Sequence, residues 1–536
     1  MEPATVVSGN VITMDPLRPR AEAVAIANGR IVHVGSVSEA EDAAGKGAEV
    51  LRFSHGAIIP GLIDTHNHML YTGLQSRLVD LSGCRSIAEL LAAISRFAQD
   101  HPEAQWITSG HGWQIDNYPE PRYPTRQELD QACPDRPVYL NRGGHIGVVS
   151  SSALARAGIG RDTPDPPGGR IGRDSHGEPT GMLLEAPAFD LVGHLVPPPS
   201  PQERKAALRA AQRSYHAAGI CGVIDPGLAS GDMAIYQDLW RSGELTMRTV
   251  AMPLAQTAED PDRLLDQLRA WGVRTGFGDE RLKLGGFKVF LDGGASLGTA
   301  LMREPHLDEC SRGGIQVTPT PYFRRIAEFC AETGWSLGVH TVGGEAIDIA
   351  LAVFDEVDRE HPIRGLRFTI IHAYVWPTAD NMATARRLGV GVALQPAMQY
   401  TFAPVLAKRF GAEAFGRATP IRSWLDASVM VGGGSDSPIC PFPPLLGIWH
   451  AITRYVDDLG QVIGSHQAIT PEEALAMYTR NAAWFCFAEH ERGMLRRGML
   501  ADWVALSVDP LTGPPDAIRR AEVLATAVGG RIVHQL

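Results

Sequence analysis

Two histidines separated by one residue stand at the end of an apolar run, Pro60-Gly61-Leu62-Ile63-Asp64-Thr65-His66-Asn67-His68. The run reads as a β-strand. Residues two apart on a strand face the same side, so His66 and His68 can grip one metal ion together. Further residues able to bind metal recur at or near the ends of later apolar runs. Lys288 sits inside Gly286-Phe287-Lys288-Val289-Phe290, His340 closes Leu337-Gly338-Val339, and His372 closes Phe368-Thr369-Ile370-Ile371. Asp436 follows Val431 through Gly432-Gly433-Gly434-Ser435. Taken singly, each has an ordinary explanation: a hydrogen-bonded histidine, an edge lysine reaching solvent, a helix-capping aspartate. As an ordered set they point to a divalent-cation site, because buried charges are rare unless paired or bound to metal. Imidazole nitrogen and carboxylate oxygen suit Zn²⁺, and Fe, Mn, Ni or Co also fit that donor set.

Side chains so far apart in the chain meet only if parallel strands bring their ends to one face. Apolar strands are expected at 57–63, 219–224, 282–291, 336–339, 366–371, 390–394 and 429–431, with helices at 321–333, 345–359 and 379–388. This alternation implies an α/β fold with a parallel sheet covered by helices, and the length favours a (β/α)₈ TIM-like barrel, whose strand ends carry catalytic residues. No GxGxxG turn follows a strand, which argues against a dinucleotide-binding fold. Both ends of the chain read as β. Strands at 5–11, 22–27 and 30–35 surround Asn28-Gly29, and strands at 523–528 and 531–534 surround Gly529-Gly530. Both turns are hairpin signals. The string Gly-Arg-Ile-Val-His occurs at 29–33 and again at 530–534, so the termini are expected to build one small β-sandwich. The domains then run 1–59 and 485–536 for the two parts of the sandwich, and 60–484 for the barrel. Residues 75–200, rich in Pro, Gly and Trp, are expected to form a lid inserted after the first barrel strand.

The 536 residues are 44% hydrophobic and 20% charged, ordinary globular values. The net charge of -11 and the lack of a basic block exclude nucleic acid as the expected partner. No run of about 18 apolar residues is present, so no membrane span is expected. The start shows no signal-peptide pattern. Seven cysteines, an odd number without a CxxC pair, fit a reducing compartment, the cytoplasm.

The order His-x-His, Lys, His, His, Asp resembles the amidohydrolase superfamily, and most closely its subgroup of YtcJ-like proteins and N-substituted formamide deformylases. The strings that carry the resemblance are Pro60 to His68, Lys288-Val289-Phe290-Leu291-Asp292-Gly293, His340-Thr341-Val342-Gly343, Gln395-Pro396 and Gly434-Ser435-Asp436-Ser437-Pro438. The resemblance extends over nearly the whole chain and includes a urease-like composite domain split between the termini. It implies that His66 and His68 bind the more buried metal and that His340 and His372 bind a second. Lys288 matches a lysine that can be carboxylated to bridge two metals, and Asp436 matches an aspartate that contacts metal and moves protons. His145, in Arg142-Gly143-Gly144-His145, matches an insertion histidine that faces substrate. Two positions depart from the pattern: Gly344 and Ile371 stand where carboxylates are frequent. The six ligand positions are intact.

The expected activity is hydrolysis of a non-peptide C–N bond in a small amide, N-formyl or N-acyl compound by metal-activated hydroxide, with one or two ions, zinc first. Ester or lactone hydrolysis and a non-hydrolytic lyase step are the alternatives on the same metals, and a non-catalytic metal-binding homologue is a third reading. Trp113 and Tyr118 are candidate substrate-binding residues for an apolar pocket, Arg417 for an anionic group, and Gln395 as a further substrate contact. The oligomeric state is open, with a homodimer as one option.

Overall fold

The computed structural model describes residues 4–115, 118–229, 231–255, 261–303 and 314–536. Two all-parallel sheets form its centre. In the first, Leu62–Asp64 pairs with Ile220–Leu228, which pairs with Arg248–Pro253, which pairs with Leu282–Leu284. In the second the order is Phe287–Phe290, Leu337–Thr341, Thr369–His372, Gly391–Leu394 and Val431–Gly433. Backbone hydrogen bonds join the sheets at both margins: Ala255 donates to Lys288 at 2.9 Å, and Thr65 donates to Gly433 at 3.0 Å. The strands are nearly continuous apolar runs, as parallel strands covered on both faces must be.

The covering helices follow from their periodicity. Gly344–Glu360 buries Ile347, Ala350, Leu351, Phe354 and Val357, one stripe at three- and four-residue spacing. Ala379–Leu388 starts where the Thr378 side chain accepts from the Asn381 amide and ends at Gly389 in the left-handed region. Two expectations need correction. The single strand at 282–291 is broken at Gly285-Gly286, where a Cβ on Gly286 would lie 2.5 Å from the Ser336 backbone. The strand Arg248–Pro253 was not expected: its first residue is an arginine and its last a proline, which blur an apolar pattern.

The strands of both termini share one sheet of seven, ordered Arg531–Gln535, Val523–Val528, Trp503–Leu506, Glu49–Pro60, Thr5–Ile12, Arg20–Ala27 and Arg30–Gly35. The two hairpins carrying the repeated pentapeptide are its opposite edges. The sheet curls until their turns meet at Ala501, which donates to Gly29 at 2.9 Å and accepts from Gly530 at 2.7 Å. Within the insertion, a five-stranded sheet is ordered Ile107–Thr108, Val138–Arg142, Ile146–Val149, Pro179–Leu184 and Arg170–Arg173. Two apolar clusters of its own support it, one around Leu90, Leu129 and Leu140 and one around Tyr139, Leu154 and Phe189.

No helix among the described residues is long and apolar enough to cross a membrane. The six described cysteines are unpaired; Cys310 lies outside the described residues.

A buried ion pair ties the terminal sheet to the central strands. Arg248 donates to both oxygens of Asp502, at 2.6 and 2.9 Å, and the Gly529 amide donates to the same carboxylate at 2.8 Å. Removing one partner strands the other charge in a dry interface, which costs about 3–5 kcal/mol. Asp502→Ala is therefore expected to lower the first denaturant unfolding midpoint clearly, while the exposed Arg497→Ala leaves it unchanged; equal midpoints in both variants would show the pair to be dispensable.

Candidate metal centre

At the ends of these strands the polar side chains converge. The strand Leu62–Asp64 runs out into His66, whose amide donates to Asp64 Oδ1 at 3.1 Å. The same oxygen accepts from the Ser435 amide at 3.0 Å. One carboxylate thus fixes the segment carrying His66 against the segment carrying Asp436. His68 turns Nδ1 onto the Pro226 carbonyl at 3.0 Å, which leaves Nε2 for the site. His372 turns Nδ1 onto Gln395 Oε1 at 2.7 Å with the same result. Asp436 Oδ1 lies 3.2 Å from His66 Nε2 and 3.3 Å from His68 Nε2. His66, His372 and Asp436 each offer one ligand atom, all within 4.8 Å of one another. The His340 ring lies 4.5 Å from that of His372, centre to centre. Asp436 and His372 have φ of 60° and 75°, a left-handed conformation that side chains other than Gly, Asn and Asp adopt at a cost and that clusters at functional sites.

Lys288 is fully buried on its strand, its amine has no hydrogen-bond partner, and it lies 4.7 Å from the centre of the Phe290 ring. Burial pushes its pKa down to about 7. Burial also holds His66 and His340 well below the usual imidazole range and brings His372 down to about 4. Neutral imidazoles have a lone pair to give. Neutral nitrogen donors, a carboxylate and an orphaned buried amine in one place fit a bound divalent cation.

His145 approaches from the insertion. The strands Val138–Arg142 and Ile146–Val149 form a hairpin whose tip, Gly143-Gly144, has φ of 63° and 73°. Glycine takes this conformation without penalty, and the turn presents His145 to the strand ends. Its ring lies 5.1 Å from that of His340, and its Nδ1 is 2.8 Å from Glu185 Oε2. Burial disfavours the imidazolium, yet the charge and hydrogen bond of Glu185 raise the His145 pKa overall.

A family model described as "Amidohydrolase family" matches residues 55–534. The chain belongs to the amidohydrolase family. The YtcJ protein of Bacillus subtilis (strain 168) is 31% identical to this amidohydrolase over 98% of each chain. The N-substituted formamide deformylase of Arthrobacter pascens is 29% identical over 100% of this chain and 99% of its own. Among solved structures, an uncharacterized metal-dependent hydrolase from Pyrococcus furiosus superposes with a TM-score of 0.73 at 26% identity, covering 95% of this chain and 100% of that one.

In this amidohydrolase a cavity of about 40 Å³ lies over the converging ligands, lined by His145, His340, His372 and Asp436 together with Tyr374, Met398 and Phe402. A second cavity of about 740 Å³ adjoins it and shares Gln114 and Ile439 with it. Trp113 and Tyr118 line the larger cavity and also pack into the apolar core of the insertion. Gln395 sits behind His372 as its hydrogen-bond partner rather than on a cavity wall. Arg417 stacks over Trp376 at 5.6 Å and lines neither cavity. Four buried carboxylates were not expected. Besides Asp64 and Glu185 there is Asp225, which accepts from Tyr236 and, at 3.4 Å, from the Leu70 amide. There is also Asp292, which accepts from the amides of Leu301, Val342 and Gly343. Burial pushes Asp64 and Asp292 up to about 7 and Asp225 to about 6. An acid inside or closing an apolar strand, as in Ile63-Asp64 and Ile224-Asp225, is the signal that could have found two of them.

Protein purified without chelator is expected to carry one or two divalent ions per chain by elemental analysis, and His66→Ala and Asp436→Ala are expected to lose most of that content. Less than about half an equivalent in the wild type, with no uptake of added Zn²⁺, Mn²⁺ or Co²⁺, rejects the metal site.

Proposed function

We propose that this protein hydrolyses the C–N bond of a small amide, N-formyl or N-acyl compound at a site holding one or two divalent cations, zinc first. The observation that carries the reading is the Asp436 carboxylate poised between two imidazole nitrogens, beside His372 and over a cavity reached by His145. We read the two parallel sheets as one (β/α)₈ barrel. Leu282–Leu284 and Phe287–Phe290 count as one broken stave of eight, and the ligands come from the carboxyl ends of the staves, where such barrels do chemistry.

His66, His68, His340, His372, Asp436 and Lys288 would hold the cation or cations. A divalent ion bound there supplies a lowered pKa for water and polarises a carbonyl oxygen. Asp436 takes the proton of the attacking water on its carboxylate and hands it to the leaving nitrogen, the general acid–base role. His145, whose Nδ1 is engaged, turns Nε2 to the cavity and donates to the carbonyl oxygen as charge develops on it. Phe402, Met398 and Tyr374 keep bulk water from this space. The buried, unpartnered Lys288 amine suits carboxylation: its nitrogen lone pair adds to the carbon of CO₂, one proton is released, and the product is a carbamate anion whose oxygens would help hold a divalent cation. The unequal cavities fit a substrate with a compact acyl group and a larger substituent on nitrogen, the larger part lying along Trp113 and Tyr118. The likeness to an N-substituted formamide deformylase supports the same division.

A panel of amides, N-formyl and N-acyl compounds, esters and lactones, assayed with metal-loaded protein, tests the reading. Turnover is expected for at least one C–N substrate and should fall at least about a hundredfold in Asp436→Asn. Turnover of esters or lactones alone would move the assignment to C–O bonds, and none at all would reject the hydrolase. Lys288→Ala is expected to lose metal and activity, with partial rescue by short-chain carboxylates; an unmodified Lys288 beside one well-ordered ion in a crystal structure would reject the carboxylation.

A further inference from the structure

Glu185 has a strained backbone beside the site. Its φ of 66° and ψ of 159° fall in a region that is essentially reserved for glycine. It is also 2% exposed. A buried glutamate in that conformation persists only when something fixes it there, and two contacts do so. Its amide donates to the His145 carbonyl at 2.7 Å, and its Oε2 accepts from His145 Nδ1 at 2.8 Å. The first continues the antiparallel pairing of Pro179–Leu184 with Ile146–Val149, in which Leu184 faces Ile146. The second acts on the ring. Together they grip one residue by its main chain and by its side chain.

The other carboxylate oxygen, Oε1, is buried beside the Gly293 backbone without a hydrogen-bond partner. A Cβ added at Gly293 would fall 2.2 Å from Thr299 Oγ1 and 2.3 Å from Glu185 Oε1, so a larger residue there would press on both side chains. The Gly293 carbonyl is in turn 3.2 Å from His340 Nε2. Glu185 thus stands directly behind His145.

We propose that Glu185 is the positioning residue for His145: it turns Nδ1 away from the cavity and leaves Nε2 as the only ring nitrogen addressing the substrate. An imidazole without such a partner can flip about its ring axis and present either nitrogen or a carbon. The inference rests on reading His145 as the substrate-facing histidine.

Two substitutions separate this role from a structural one. Glu185→Gly suits the backbone angles better than glutamate does but removes the acceptor. Glu185→Gln keeps an oxygen acceptor for Nδ1. With zinc-loaded crystals, the His145 ring is expected to lose its single orientation in Glu185→Gly and to keep it in Glu185→Gln, with metal content unchanged in both. On the best amide substrate, Glu185→Gly should lower kcat roughly ten- to a hundredfold with little change in KM, the size expected when a histidine loses its orienting partner. Glu185→Gln should recover most of that loss, and Glu185→Gly should cost nothing further in a His145→Ala background. A fixed His145 ring in Glu185→Gly, equal damage in both variants, or losses that multiply with His145→Ala would overturn the proposal. If wild-type protein hydrolyses nothing, the hydrolase reading falls while the ring orientation in crystals still decides the role of Glu185.

Discussion

The site depends on keeping one carboxylate ionised where there is almost no water to solvate it. Asp436 faces two imidazole nitrogens at 3.2 and 3.3 Å, lone pair towards oxygen, a placement that a cation between them would relieve, and the histidines near it are held from behind. His68 is held by the Pro226 carbonyl and His372 by Gln395. His66 is held through its own amide by Asp64. Each of these supports comes from a different strand end, so the charge balance and the fold are one arrangement. A strand displaced by one residue would turn its ligand outward and leave Asp436 buried without partners.

The same logic explains what could be read in the chain before the structure was known. His66, His68, Lys288, His340 and His372 interrupt or close apolar strands, and although each alone has an ordinary explanation, a whole ordered set of buried polar groups needs partners or a metal. Their order along the chain carried the family resemblance, and the family model bears it out. The supports behind them were not legible. Glu185 follows an ordinary strand, and its partner His145 lies 40 residues away. Gln395 was legible as a polar residue at a strand end, but nothing local tells a residue touching substrate from one touching a ligand. The pairing that decides it is with His372, 23 residues earlier. Arg417 was chosen for its charge alone, and its place against Trp376 is set by packing that no short pattern encodes.

The insertion has a different standing from the central strands. Its two apolar clusters are separate from the one beneath the central parallel strands, and it reaches the site mainly through the hairpin tip bearing His145 and through the residues around Gln114. Arg142 anchors that tip, donating to Gln114 Oε1 at 2.6 Å, to Tyr123 Oη at 2.5 Å and to the Trp113 carbonyl at 3.3 Å. The hairpin and Gln114, which lines both cavities, are therefore tied together, so a substitution at Arg142 is expected to disturb His145 and the boundary between the two cavities together.

The curled sheet shared by the two termini sets the order in which the molecule can be completed during synthesis. Trp503–Leu506 lies between Glu49–Pro60 and Val523–Val528. Residues 57–60 of the strand Glu49–Pro60 keep one edge unpaired until Trp503–Leu506 has been made. Contacts that span so much of the chain are slow to close, and an unpaired apolar edge invites the wrong partner meanwhile. A nascent chain reaching past Asp436 but not yet to Trp503 would carry every proposed ligand residue and still leave that edge open. Such a chain would be a substrate for chaperones and proteases before it could be an enzyme.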